Sequence, residues 1–156
     1  MRLRILYFLL VVFSLNAFNS EAQNQRKQAL TLVKYKENVK APLNAAETKM
    51  LQEVFSNRLN EYVLNNPQRL KDFKHLLRNR IEIRSMPELV GNNDKYQTLS
   101  QVGLMNSYNE NLKLDTTYNP STFNPLKYNL KFFGKGGAIY RIDNTNYFII
   151  IKSQHE

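Results

Sequence analysis

The polar and apolar positions change period along the chain, and the changes mark out its elements. Leu51, Val54, Phe55, Leu59 and Tyr62 recur at helical spacing opposite Lys49, Gln52, Glu53, Ser56 and Asn60, which predicts a helix from about Ala45 to Leu64. Asn44, with Glu47 three residues on, supplies a capping box after Pro42. A second helix is expected after Asn66-Pro67, with Asn66 as N-cap and Pro67 at the first position, where its missing N–H costs nothing. Leu70, Phe73, Leu76 and Leu77 form its apolar face as far as about Asn79. So short a connection predicts a helical hairpin.

The period then falls to two. Arg80-Ile81-Glu82-Ile83-Arg84 alternates as a strand does, with both isoleucines inward. Phe123 to Lys152 reads as a three-stranded antiparallel meander. Leu126, Tyr128, Leu130 and Phe132 share one face of its first strand, and Gly134-Lys135-Gly136-Gly137 turns the chain into Ala138 to Ile142. A turn at Asn144-Thr145 sets Ile142 opposite Tyr147 and Tyr140 opposite Ile149. Tyr147 to Ile151 is apolar on both faces, which suits a central or covered strand. The fold class expected is α+β: an N-terminal helical hairpin packed on an antiparallel sheet of about four strands that ends in a C-terminal β-meander.

Between these patterns, Glu88 to Asn124 is rich in Asn, Ser, Thr and Tyr, with a turn at Gly91 to Asp94 and a short strand or helical turn expected within Thr98 to Met105. Loops on a rigid scaffold commonly carry recognition, and Tyr96, Tyr108, Tyr118 and Phe123 offer stacking faces for a sugar or a peptide. The same rings also suit lids over the core edge.

At the other end, Arg2 and Arg4, the apolar run Ile5 to Leu15 and the small residues Ser20 and Ala22 predict a signal peptide, 1–22, cleaved before Gln23. That run would rise only about 16 Å as a helix, about half a bilayer's hydrocarbon core, and no later stretch is apolar enough to span, so no membrane span is expected in the mature chain. Residues 23–41 are polar and Lys-rich, without a clean period, and are expected to form a mobile arm. Residues 42–156 are expected to form one domain.

Composition narrows the chemistry. The chain has no Cys, which removes disulfides, thiol nucleophiles and thiolate metal sites, so the core alone must hold the domain together. A formal net charge of +9 makes the chain strongly basic. For an exported protein that points to an envelope protein or an anionic polymer as partner, with no nucleic acid expected. Lys71, Lys74 and Arg78 line up beside the apolar face of the second helix as a candidate anion-binding stripe. Arg58 falls within the apolar arc of the first helix and is a second candidate for anion or partner binding, or a guanidinium lying on the core. His75, three residues after Asp72, suits a surface position better than a catalytic one.

The glycine turn lacks the Lys-Ser or Lys-Thr and the following helix of a phosphate loop, and Asp143-Asn144-Thr145-Asn146 lacks the ligand pattern of a calcium loop. No metal site, cofactor or catalytic residue is assigned, and nothing specifies an oligomeric state. The function expected is a non-catalytic binding or structural protein of the cell envelope. The alternative is a periplasmic hydrolase drawing carboxylates from near the 88–124 segment, with Glu82, Asp115 and Asp143 as candidates.

Glu61 to Ile83 (EYVLNNPQRLKDFKHLLRNRIEI), Phe123 to Tyr128 (FNPLKY) and Tyr140 to Ile151 (YRIDNTNYFIII) resemble an uncharacterised family of small exported proteins of Bacteroidetes-type bacteria, as does the signal segment ending Ser-Glu-Ala. The resemblance implies export and no particular activity. The ending IIIKSQHE does not look like a type IX secretion sorting tail, which implies periplasmic retention over display on the cell surface.

Overall fold

The computed structural model describes residues 33–134 and 136–155, apart from the side chains of 92–94. The expected signal peptide and the arm as far as Leu32 lie outside the described residues. Among these the fold is α+β, with helical segments preceding and packing on a three-stranded antiparallel sheet.

Helix α1 spans Ala45–Phe55 and opens on the expected capping box: the Asn44 side chain accepts from the Glu47 N–H at 2.8 Å, and Glu47 accepts from the Asn44 N–H at 2.9 Å. The expected continuation to Leu64 is interrupted. Ser56 takes a positive φ of 49°, a 3-10 turn covers Ser56–Arg58, and a π-helical turn covers Asn60–Leu64. The break shifts the helical phase. Leu59 and Val63 remain buried, while Arg58 is turned outward to an exposed position with its guanidinium 5.9 Å from the Tyr62 ring.

Helix α2, Pro67–His75, starts on Asn66, whose side chain accepts from the Arg69 N–H at 3.0 Å, and it runs into a second π-helical turn, Leu76–Arg80. Phe55 of α1 and Phe73 of α2 meet edge to face at 5.4 Å.

Strand β1 is Ile81–Ser85, β2 is Ala138–Arg141 and β3 is Tyr147–Ile151, in the order β1-β3-β2. The strand that is apolar on both faces is the central one. Tyr140 pairs with Ile149, and the Ile142 N–H donates to the Tyr147 carbonyl at 3.0 Å, in the register set by the turn. Ile81, Ile83, Tyr140, Ile149 and Ile151 face the helices and pack with Leu51, Val54, Phe55, Leu76 and Leu126. On the other face Phe148 is fully buried and meets the Tyr96 ring at 5.5 Å.

The expected meander is corrected. Its first strand is absent, so the sheet has three strands, not four, among the described residues: β1 pairs with β3, and the outer edge of β2, where Leu126 to Phe132 was expected, meets only the bridge between Thr98 and Arg141. Pro125 opens a 3-10 turn, Pro125–Lys127, capped by Asn124, whose side chain accepts from the Leu126 N–H at 3.0 Å. The Leu130 N–H then donates to the Tyr128 carbonyl and that of Phe132 to the Leu130 carbonyl, each at 2.8 Å. These two-residue loops satisfy the backbone locally, as γ-turns do. Their period is still two, so Leu126, Tyr128, Leu130 and Phe132 all point into the core without a strand ladder. The expected turn at Gly91 to Asp94 is likewise part of a 3-10 segment, Pro87–Lys95. Within Thr98 to Met105 the chain forms a short helix, α3, Leu99–Val102, ended by Gly103 at a φ of 73°, a conformation that a Cβ would strain.

Candidate functional site

Two carboxyl groups, Asp115 and Asp143, share a cavity with tyrosine and hydroxyl groups and reach it through two separate local structures. The β2–β3 turn places Asn144 at a φ of 56°, which asparagine tolerates, and this presents Asp143 toward α3. The Asp143 carboxylate accepts from the Ser100 N–H at 3.0 Å and from the Ser100 hydroxyl at 2.5 Å, docking the first turn of α3 on the hairpin. On the opposite wall the loop after Leu112, itself buried, brings Asp115 to the core edge. The Tyr128 hydroxyl donates to Asp115 Oδ2 at 2.7 Å and accepts from the Asp115 N–H at 3.2 Å, while Lys127 Nζ donates to Oδ1 at 2.7 Å.

Between the walls lies a cleft of about 240 Å³ lined by Leu99, Ser100, Leu114 to Tyr118, Phe123, Tyr128 and Ile142 to Asn144. Drug-sized ligands occupy roughly 300–1,000 Å³, so this one suits a single small ring or side chain.

Its electrostatics are set by burial and by donors. Burial opposes charge on Asp143, but the hydroxyl and N–H of Ser100 and the hydroxyl of Thr98 outweigh it and hold the carboxyl below its usual range. Burial, followed by the hydrogen bond to Asp115, pushes the Tyr128 phenol far up, with Asp143 adding to the effect through space. Lys127 is 6% exposed, and Glu53 lies 3.6 Å from its ammonium beyond the closer Asp115. The cleft therefore presents the ionised Asp143, the Asp115 carboxyl group held by Lys127 and Tyr128, a locked phenol, and hydroxyls from Ser100, Thr116 and Thr117.

Two of the three cations of the expected anion-binding stripe, Lys74 and Arg78, are engaged within the chain. Lys74 is 9% exposed and donates to the Ala41 carbonyl at 3.0 Å. Arg78 donates to both oxygens of Glu47 and to the carbonyls of Asn38, Ala41 and Pro42. Lys71, which is exposed, places its ammonium 4.0 Å from the Tyr35 ring centre. Together these cations seat residues 35–42 on α2, so the part of the expected arm that is described is held down. Tyr35 also donates to Asp72, and Val39 is buried. His75 lies beneath this segment, 5% exposed, with the Tyr35 ring at 5.2 Å and the Asn79 side-chain amide 3.2 Å from its Nδ1; it is a core residue and not a surface one.

The four aromatic candidates are dispersed. Tyr118 and Phe123 line the cleft, with Tyr118 against Phe123 at 5.3 Å and Tyr147 at 4.6 Å, and Phe123 stacked on Tyr128 at 5.8 Å. Tyr108 packs on Phe55 and Tyr62, in a separate cavity of about 160 Å³. Tyr96 covers Phe148. Glu82 stands on the outer sheet face, paired with Arg84 and, at 3.1 Å, with Lys152.

Ser100, Thr116, Thr117 and the Tyr128 hydroxyl were not among the residues expected. No periodic signal marks a hydroxyl in an irregular loop, and Tyr128 reads as core because its ring is. Neither protein-family models, curated proteins nor solved structures contain a match to this chain.

Proposed function

We propose that the protein is an exported, non-catalytic binding protein of the cell envelope whose cleft between Asp115 and Asp143 takes one ring of a neutral or aminated sugar. The observation that carries this reading is the pairing of two hydrogen-bonded carboxyl groups, Asp115 and Asp143, with the Tyr118 and Phe123 rings in one small cleft. Sugar hydroxyls donate to carboxylates, and their C–H faces lie on aromatic rings.

An anionic polymer is disfavoured at such a cleft, since the ionised Asp143 repels it and two of the three stripe cations that would have attracted it are engaged within the chain. A glycosidase needs one carboxyl kept protonated as the general acid. Here Asp143 is held ionised by Ser100 and Asp115 is bound to Lys127, the reverse of that requirement.

Export to the periplasm rests on the positive and apolar opening segment and on the resemblance to small exported proteins. The helical hairpin rests on two contacts: Glu47 at the start of α1 meets Arg78 past the end of α2, and Phe55 meets Phe73 between them.

Saturation-transfer NMR with glucose, N-acetylglucosamine, glucosamine and glucuronic acid tests the proposal. The first three should receive saturation and the uronic acid should not, and Asp143→Asn should weaken the bound sugars by about tenfold, the worth of one charge-assisted hydrogen bond. Binding of glucuronic acid in preference to the others would overturn it.

A further inference from the structure

Beside β2 the structure holds a second, open feature on the far side of the sheet from the helices. The segment before α3 runs along β2 and joins it at one point: the Arg141 N–H donates to the Gln97 carbonyl at 2.9 Å, within a parallel bridge between Thr98 and Arg141. Two residues earlier the chains have parted. Lys95 and Tyr96 stand away from Gly137 to Ile139, and the wedge between them is a groove of about 520 Å³ whose floor includes Ile150.

The register determines which backbone groups face this groove. Ile142 bonds to Tyr147 across the hairpin, so Tyr140 and Ala138 also face β3, and the alternate residues Ile139 and Arg141 direct their N–H and C=O groups to the outer edge. Arg141 is joined there by Gln97. Ile139 has no backbone partner on that edge among the described residues, and its side chain is 38% exposed. An unpaired edge beside an apolar side chain is a template for another strand.

Charge selects the strand. Lys95 is exposed at one lip of the groove and Lys152 is half exposed at the other. Glu82 pairs with both Lys152 and Arg84, so these three side chains together keep one positive charge beside the groove. A second copy of this chain would set these lysines against their equivalents, so self-pairing is opposed. A strand with carboxylates is attracted.

We propose that the wedge between Tyr96 and Ile139 accepts an extended acidic segment of a partner protein, which adds to β2 as a strand. One of its apolar side chains covers Ile139 and Ile150, its backbone pairs with the Ile139 N–H and C=O, and an acidic side chain reaches Lys95 and Lys152. This is recognition by strand addition, in which main-chain bonds hold the peptide and alternate side chains select it. It is independent of the sugar reading, because the cleft at Asp143 shares no residue with this groove.

The test uses the mature chain and two fluorescein-labelled peptides of about eight residues, the length of an ordinary strand. One alternates Val with Glu and the other alternates Val with Lys. Fluorescence anisotropy should show saturable binding of the Glu peptide alone, and hydrogen exchange should slow at the Ile139 amide when it binds. The double variant Lys95→Glu, Lys152→Glu should lose affinity by about tenfold or more, as expected for reversed charge at an interface rim. Ile139→Pro removes the outward donor, and Ile139→Thr is a milder control that keeps the strand; each should weaken binding. Equal binding of both peptides, unchanged exchange at Ile139, or self-association of the protein in place of peptide binding would each overturn the proposal.

Discussion

Arg78 grips Glu47 with two hydrogen bonds, Nε to Oε1 at 2.6 Å and Nη2 to Oε2 at 2.7 Å, across 31 residues of sequence. Their side chains are only 13% and 8% exposed, and Glu47 also caps α1 through the Asn44 N–H. One carboxylate thus starts a helix and ties it to the next, while the same guanidinium holds the carbonyls of residues 38–42. Replacing Arg78 with Met should destabilise the protein by about 2–4 kcal/mol, because it strands a buried carboxylate. Glu47→Gln keeps the capping geometry and loses only the charge, so it should cost less. Urea denaturation of both variants measures the order. A larger loss for Glu47→Gln would contradict the shared role.

Acid should unfold the protein in two stages. Burial, and then the nearby Arg80, lowers the pKa of His75, with Asp72 opposing, so the folded state keeps it neutral where the unfolded chain would protonate it. The unfolded chain then binds more protons, and stability falls as pH drops from about 6.5 toward the folded value. The Arg78 hydrogen bond lowers Glu47 below its ordinary 4.5, so its contribution is present above that value and is lost as pH falls through the folded one. His75→Gln should remove the first stage and leave the second. Chemical denaturation midpoints across pH, wild type against variant, measure both.

Ser56 carries a φ of 49° and a ψ of −128°, a conformation that suits glycine. Ser56→Gly should therefore stabilise the folded state by about 0.5–1 kcal/mol despite the greater freedom it gives the unfolded chain, and without displacing Arg58. A rise in thermal midpoint checks the sign. A fall would mean that the break between α1 and the following turns is not strained.

Lys127 is buried against Asp115, with Glu53 farther off. Asp115→Asn should cost about 2–4 kcal/mol, somewhat under the roughly 3–5 kcal/mol of a buried ion left with no partner, because Glu53 remains at 3.6 Å. Tyr128→Phe should cost about 1–2 kcal/mol for its hydrogen bonds. Ultraviolet titration of the wild type should show a phenol that does not ionise with the ordinary tyrosines near pH 10, and that silent tyrosine should be missing in Tyr128→Phe. Full ionisation of every tyrosine together in the native protein would contradict the buried arrangement.

Local rules made much of this fold legible. The capping box at Asn44, the Asn66-Pro67 start, the strand expected over Arg80 to Arg84 and found at Ile81–Ser85, and the Tyr140–Ile149 register depend on neighbours in sequence, and all four are present. The alternation from Leu126 to Phe132 correctly named the buried side chains but not the backbone that presents them, because strands and successive γ-turns share a period of two. Arg58 fell within the apolar arc only by a helical phase that Ser56 resets. The basic stripe was visible as charge, but its partners are distant in sequence: Arg78 meets Glu47 and the carbonyls of Asn38, Ala41 and Pro42, and Lys74 the carbonyl of Ala41. Backbone acceptors leave no mark in a sequence. Asp115 and Asp143 were named as carboxylates; only the fold places them in one cleft.

The most direct measurement is a map of backbone amide shifts in the protein as N-acetylglucosamine is added. Shifts confined to Ser100, Thr116, Thr117, Tyr118 and Asn144, and abolished in Asp143→Asn, are the result this account predicts. Shifts centred on Lys71, Lys74 and Arg78, or a pattern unchanged by Asp143→Asn, would contradict it.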